Sequence, residues 1–225
     1  LRRQYRLRLS GVKELAAAQY VQMGEALESS VETAAELPQA VRLKSASALR
    51  PKESEKLCGD QVKQLSVGIT EYFLLCDGMG SGAGAREESG RTARVVESFL
   101  RAGMEPKEAM ETVSAALALR GDGGSSTTID LLSIDLFTGR CRVFKQGAAP
   151  TYVRRERKIR CAVASSLPAG VLPGDSSGPD SHGFRGEEGD WILMTTDGVL
   201  CGQEDDWLRR ILAGCERAAP EELAN

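Results

Sequence analysis

Histidine is almost missing from this chain: His182 stands alone among 225 residues. Imidazole-based metal sites therefore have no material, and a serine hydrolase has neither a suitable base nor a G-x-S-x-G turn to present its nucleophile. The six cysteines (Cys58, Cys76, Cys141, Cys161, Cys201 and Cys215) form no C-x-x-C pair. A structural zinc site is excluded with them. No apolar run reaches the roughly 18 residues that a membrane span needs, and there is no signal peptide. A cytoplasmic domain is expected, with any membrane tether lying in segments outside this chain. A basic field is lacking too: 29 Lys and Arg against 32 Asp and Glu leave a net charge of −3, so nucleic acid is not an expected partner. The basic concentrations at Arg2–Arg8 and Arg154–Arg160 read as solvated faces.

What is present is an ordinary globular composition, 41% hydrophobic and 27% charged, enough for one domain with an appendage. Cys76, Cys141 and Cys161 sit in apolar runs, where reduced cysteine acts as a small hydrophobe. Apolar residues at Val12, Ala16, Tyr20, Met23, Leu27, Val31 and Ala34 follow one face of a long helix that ends before Pro38. Residues 1–38 are read as an amphipathic regulatory or linker helix and 39–225 as the folded domain it precedes. Further along, the pattern predicts a short strand at Tyr72–Cys76, a helix over Ala83–Ala102 and a second from Pro106 to about Leu119, closed by Gly121–Gly124. Strands follow at Thr128–Leu136, Cys141–Gln146, Thr151–Arg154 and Ile159–Val163. Residues Pro173–Gly189, rich in Gly, Ser, Pro and Asp, read as a loop, and His182 within it as a solvated loop residue. A strand at Trp191–Thr195 and a helix over about Asp205–Ala218 complete the pattern. Hairpins with clustered helices and no βαβ alternation predict an α+β fold, a sandwich of two antiparallel sheets flanked by helices.

Two acids are placed alike. Asp77 follows YFLLC and precedes Gly78, while Asp197 follows WILMTT and precedes Gly198. Carboxylates at the ends of two strands can meet at one hard cation, and glycine just after each lets backbone and ligand approach. Taken singly, an Asp-Gly step is often only a turn. The run D-G-M-G-S-G-A-G-A also matches G-x-G-x-x-A at Gly80, Gly82 and Ala85, a dinucleotide-binding signal. Its acid would have to close a second strand, whereas Glu97 falls inside the predicted helix. A Walker loop lacks its Gly-Lys-Ser/Thr ending, and Met79 occupies a ligand position of a calcium loop.

Six segments then resemble, in order, the blocks of the stage II sporulation protein E phosphatase domain: C-G-D (58–60), C-D-G-M-G-S-G (76–82), T-T-I-D-L-L-S-I-D-L (127–136), F-K-Q-G-A-A-P-T-Y-V-R-R (144–155), A-S-S-L-P-A-G-V (164–171) and G-D-W-I-L-M-T-T-D-G-V (189–199). The resemblance implies a PPM-type (type 2C) serine/threonine phosphatase with two divalent ions, manganese first and magnesium second. By it, Asp77 bridges both metals, the carbonyl of Gly78 binds one, Asp197 binds the other and Asp60 lies close by. Asp77 and Asp197 are thereby the catalytic acids. It further implies a phosphorylated anti-anti-sigma protein as substrate and control through helices that precede the domain; a homodimer through the 12–34 helix is a separate expectation from its apolar stripe. Cys58 stands where the family has a non-ligand serine. The family's further aspartate, in an Asp-Asp-Met-Thr-like strand after the last helix, has no counterpart up to Asn225. The domain is therefore expected to be C-terminally incomplete and to hold its metals weakly, since Glu221 and Glu222 lie in a short polar tail. The rival readings are an inactive scaffold of the same fold and a dinucleotide-binding oxidoreductase using the glycine run.

Overall fold

Strand β2 (Thr70–Gly78) is the backbone of the molecule, an apolar segment whose residues Leu74, Leu75 and Cys76 are all buried. The computed structural model describes residues 41–52, 55–119, 126–171, 178–200, 204–215 and 219–224. The helix expected at 12–34 and the stretch Gly121–Gly124 lie outside the described residues. On one side β2 pairs antiparallel with β1 (Asp60–Val67), on the other with β3 (Thr127–Asp135). A tight turn joins β3 to β4 (Arg140–Gln146), and β7 (Asp180–Arg185) adds the far edge. The sheet order is β1-β2-β3-β4-β7. A second, three-stranded sheet places β5 (Thr151–Arg155) between β6 (Lys158–Ala162) and β8 (Trp191–Met194), again antiparallel.

Two of these strands depart from the sequence pattern. β1 escapes it because DQVKQLSV offers few apolar residues, and the strand forms because β2 beside it supplies eight paired positions in unbroken register. β7 replaces part of the loop expected at 173–189. Its composition is loop-like, yet it completes the ladder of β4, with His182 opposite Val143 and Phe184 opposite Cys141. His182 is consequently no solvated loop residue: its ring is half-buried, with Nε2 2.9 Å from the Val163 carbonyl oxygen.

Helix α1 (Gly82–Arg101) and helix α2 (Pro106–Leu119) cover one face of the large sheet. In α1 the residues Ala85, Ser89, Ala93, Val96 and Leu100 recur at helical spacing and are buried. They close over Leu74, Cys76, Ile129, Leu131 and Phe144, joined by Met110 and Val113 of α2. The opposite face of the same sheet packs Leu132, Ile134, Cys141 and Val143 toward Ile192 and Met194 of the small sheet. Two short helices and one longer one follow β8. They are α3 (Asp197–Leu200), α4 (Asp206–Gly214), which seats Leu208 and Leu212 on Tyr152, and α5 (Pro220–Ala224). The tail that carries Glu221 and Glu222 is thus helical rather than irregular. Cys76 and Cys141 are buried as expected of small apolar side chains, whereas Cys161 is only half-buried.

The antiparallel neighbours on both sides of β2 also settle the glycine run. A dinucleotide fold needs a parallel strand returned by the crossover helix, and among the described residues every strand pair is antiparallel.

Candidate active site

Asp77 still belongs to the paired register of β2 rather than to the loop beyond it, and its direct cross-strand partner is Asp60 of β1. Opposed residues in an antiparallel pair project to the same side, so two carboxylates share one face at the end of the sheet. That face is the inner one. Phe73, four residues back along β2 and so on the same face, packs with Ile192 and Met194 of the small sheet. Asp197 comes from that other sheet: β8 ends at Met194, Thr195 and Thr196 follow, and Asp197 opens α3. The three acids anticipated from sequence are brought together at one end of the gap between the sheets.

Their mutual proximity is read from the charge of Asp77. Burial, reinforced by Asp60 and then by Asp197, pushes its carboxyl up to about 8. Desolvation disfavours the ionised form, and like charges nearby add to that penalty. A positive charge placed among these acids would offset both penalties.

Gly78, the fourth anticipated residue, owes its identity to close approach. A Cβ at this position would stand 2.1 Å from the Ala85 carbonyl oxygen of α1. Helix α1 therefore lies directly against the strand end, and no side chain larger than hydrogen fits between them. The same helix holds the other acid-bearing strand, because Arg86 donates to the Cys58 carbonyl oxygen at 3.2 Å and Ser89 donates to that of Gly59. Both acids of the large sheet are thus fixed from behind by α1.

Sequence reasoning missed several supporting residues. Thr196 Oγ1 donates to Asp60 Oδ2 at 3.0 Å, linking the loop after β8 to β1 across the gap. Thr127 Oγ1 donates to the Asp77 carbonyl oxygen at 2.7 Å. Both threonines sit in blocks that carry the family resemblance, and the T-T pairs before Asp130 and Asp197 were the available signal. Among the described residues no three His, Cys, Asp or Glu side chains form a finished ion cage. The three carboxylates are oxygen donors of the kind a hard divalent ion takes, with the Cys58 thiol beside Asp60 as a neighbouring sulfur.

The chain and its fold are similar to those of several known proteins. The family model for stage II sporulation protein E matches residues 70–225. Stage II sporulation protein E of Bacillus subtilis (strain 168) is 30% identical over 190 residues, 82% of this chain and 23% of that protein. The protein of the same name from Priestia megaterium is 28% identical over 173 residues, 74% of this chain and 29% of its own length. This chain therefore spans about a quarter of the curated relatives it matches. Among solved structures, the PP2C phosphatase domain with a fragment of the regulatory domain of SpoIIE from Bacillus subtilis superposes with a TM-score of 0.75 at 27% identity, covering 83% of this chain and 56% of that one. The RsbU and RsbW domains of Rv1364c from Mycobacterium tuberculosis share the fold, with a TM-score of 0.66 at 21% identity over 77% of this chain and 51% of that one.

Two antiparallel sheets between helices, with acids at one end of the gap, are thus the PP2C-type serine/threonine protein phosphatase architecture. The chain belongs to the stage II sporulation protein E family.

Proposed function

We propose that this domain hydrolyses phosphoserine in a small regulatory protein, of the anti-anti-sigma kind, with two divalent ions held by Asp60, Asp77, the carbonyl of Gly78 and Asp197. Manganese is the first choice and magnesium the second. The observation that carries the reading is the convergence of Asp60, Asp77 and Asp197 from three separate segments, which together with burial pushes the Asp77 carboxyl up to about 8. When bound, a pair of such ions lowers the pKa of water and neutralises phosphoryl oxygens for in-line attack. The chain's own part is positional. Asp77 faces both neighbouring acids, Thr196 orients Asp60, and Gly78 lets α1 brace the strand end. No side-chain nucleophile is required, and burial raises the thiol pKa of both Cys58 and Cys76, the cysteines nearest the acids in sequence.

The stripe from Val12 to Ala34 is proposed as the regulatory element of residues 1–38, preceding a phosphatase domain of residues 39–225, and as the contact for a homodimer. A cytoplasmic setting belongs to the same proposal, with membrane attachment only through other parts of the full-length protein. Among the described residues no helix is long and apolar enough to cross a membrane.

The test uses the full-length protein carrying this domain and a phosphoserine peptide, with phosphate release followed against manganese concentration. Asp77→Asn is expected to lower turnover by about 10³-fold or more, since metal-assisted charge stabilisation contributes several kcal/mol, while circular dichroism stays unchanged. Full activity in that variant overturns the assignment.

A further inference from the structure

Deeper in the gap than the three acids lies an ion pair from which water is wholly excluded. Lys145 Nζ of β4 stands 2.6 Å from Asp130 Oδ2 of β3, and both side chains are 0% exposed. Thr151 Oγ1, at the start of β5, accepts from Lys145 Nζ at 2.8 Å and donates to the same Asp130 oxygen at 2.6 Å. Two of these residues belong to the large sheet and the third to the small one. The trio is a polar rivet through the sandwich.

As a device for stability it is a poor choice. Removing two charges from water costs several kcal/mol each, and packed apolar residues of similar volume commonly do as well or better. Burial pushes the Asp130 carboxyl up and the Lys145 ammonium down, with their contact opposing both. The other carboxylate oxygen, Asp130 Oδ1, is buried without any hydrogen-bond partner, a further cost. Apolar neighbours would have filled this space readily, as Leu132 and Val143 do next to it.

Its position is more informative. Asp130 is the cross-strand partner of Leu75, and Asp77 is the next residue of β2 on that face. Thr151 is the cross-strand partner of Met194, three residues before Asp197. The rivet thus joins β3, which lies beside the strand carrying Asp77, to β5, which lies beside the strand leading to Asp197. A short, directional contact between the two sheets fixes their separation more tightly than apolar packing, which tolerates sliding.

We propose that Lys145, Asp130 and Thr151 are positioning residues that set the distance between the two sheets at the floor of the cleft, and with it the spacing of Asp77 and Asp197. The proposal rests on the metal-binding reading of those acids for its functional effect, though not for its structural one. Supporting partners of metal ligands typically govern affinity by about 10–100-fold when removed.

The experiment compares the full-length protein with the double variant Asp130→Leu/Lys145→Met, which leaves no unpaired buried charge, and with Thr151→Val and Thr151→Ser. Manganese binding is measured by calorimetry, sheet dynamics by hydrogen exchange, and stability by thermal unfolding. The double variant is expected to melt near the parent temperature, yet to bind manganese about tenfold more weakly and to exchange β5 and β8 amides faster. Thr151→Val should reproduce both effects, and Thr151→Ser, which keeps the hydroxyl, should restore parental behaviour. If Asp130→Leu/Lys145→Met does not fold, the Thr151 pair alone decides between the outcomes. Parental exchange in β5 and β8, together with parental manganese affinity, overturns the proposal. Failure of the parent itself to bind manganese overturns the metal reading instead, and the exchange rates still decide the rivet.

Discussion

The two faces of strands β2 and β3 are made from alternate residues of the same segments, and they carry different chemistry. Toward the helices stand Leu74, Cys76, Ile129 and Leu131, apolar throughout and at most 1% exposed. Toward the small sheet the sequence of side chains changes along the strands, from Leu132 and Phe73 to Asp130 and then to Asp77 with Asp60 opposite. The first face is a uniform surface that helices can cover by packing alone. The second is mixed, apolar where Phe73, Leu132 and Ile134 meet the small sheet and ionic on either side of them, with Glu71 held by Gln64 and Ser66 at one end and Asp130 by Lys145 toward the other, because a buried charge survives only where a partner or an incoming ion can meet it. Register preserves the distinction: a slip of one residue would turn Asp77 and Asp130 into the helix-packed core.

The contrast between the faces is probed most directly on the apolar one. Leu131→Ala should cost about 3 kcal/mol of stability, within the range for a fully buried leucine, while phosphate release per folded molecule stays at the parental value. Denaturant unfolding beside an activity assay on the folded fraction would check it, and a selective loss of turnover would show that the two faces are not independent. At the boundary between the faces, Gly78→Ala places a methyl against the Ala85 carbonyl. About 2–3 kcal/mol should be lost as α1 shifts away, and manganese affinity should fall with it.

A milder test varies pH. The folded-state pKa of Asp77, about 8, lies above its ordinary value of 3.8, so the native state holds a proton that the unfolded chain releases. Without metal, stability should therefore decline as pH rises from about 4 to 8, by no more than about 1.4 kcal/mol per unit. Thermal melts of the metal-free protein would show the slope, and Asp77→Asn should flatten it. Manganese must displace the same proton, so its apparent affinity should climb over about pH 6 to 8 and level off above. An affinity independent of pH would mean that Asp77 does not hold that proton. The smallest effect belongs to the solvent side of α1, where Lys63 and Arg101 hold the Glu97 carboxyl below its usual range. Glu97→Gln should change stability by less than about 1 kcal/mol, since such partly exposed pairs contribute little.

Much of this architecture is legible in the chain itself. The α1 and α2 helices announce themselves by spacing and by Pro106, the β3–β4 hairpin by its Thr138–Gly139 turn, and the acids by their place after apolar runs. β1 and β7 are not legible, since DQVKQLSV and DSHGFR become strands only because an established neighbour offers free backbone groups. Asp60 is marked only through its block, and nothing local could set it opposite Asp77. Lys145 and Asp130 stand in view as charges inside apolar strands, but their pairing and their threonine partner depend on contacts across 15 and 21 residues of sequence.

The chain alone sets which residue types are available: oxygen donors without imidazole, glycine next to each acid, and an alternation that commits each strand to two faces. Which of those carboxylates meet is a matter of the folded arrangement. Asp77 ends a strand of one sheet and Asp197 follows a strand of the other, and the space between them is fixed by how those sheets pack, a long-range property that no local pattern encodes.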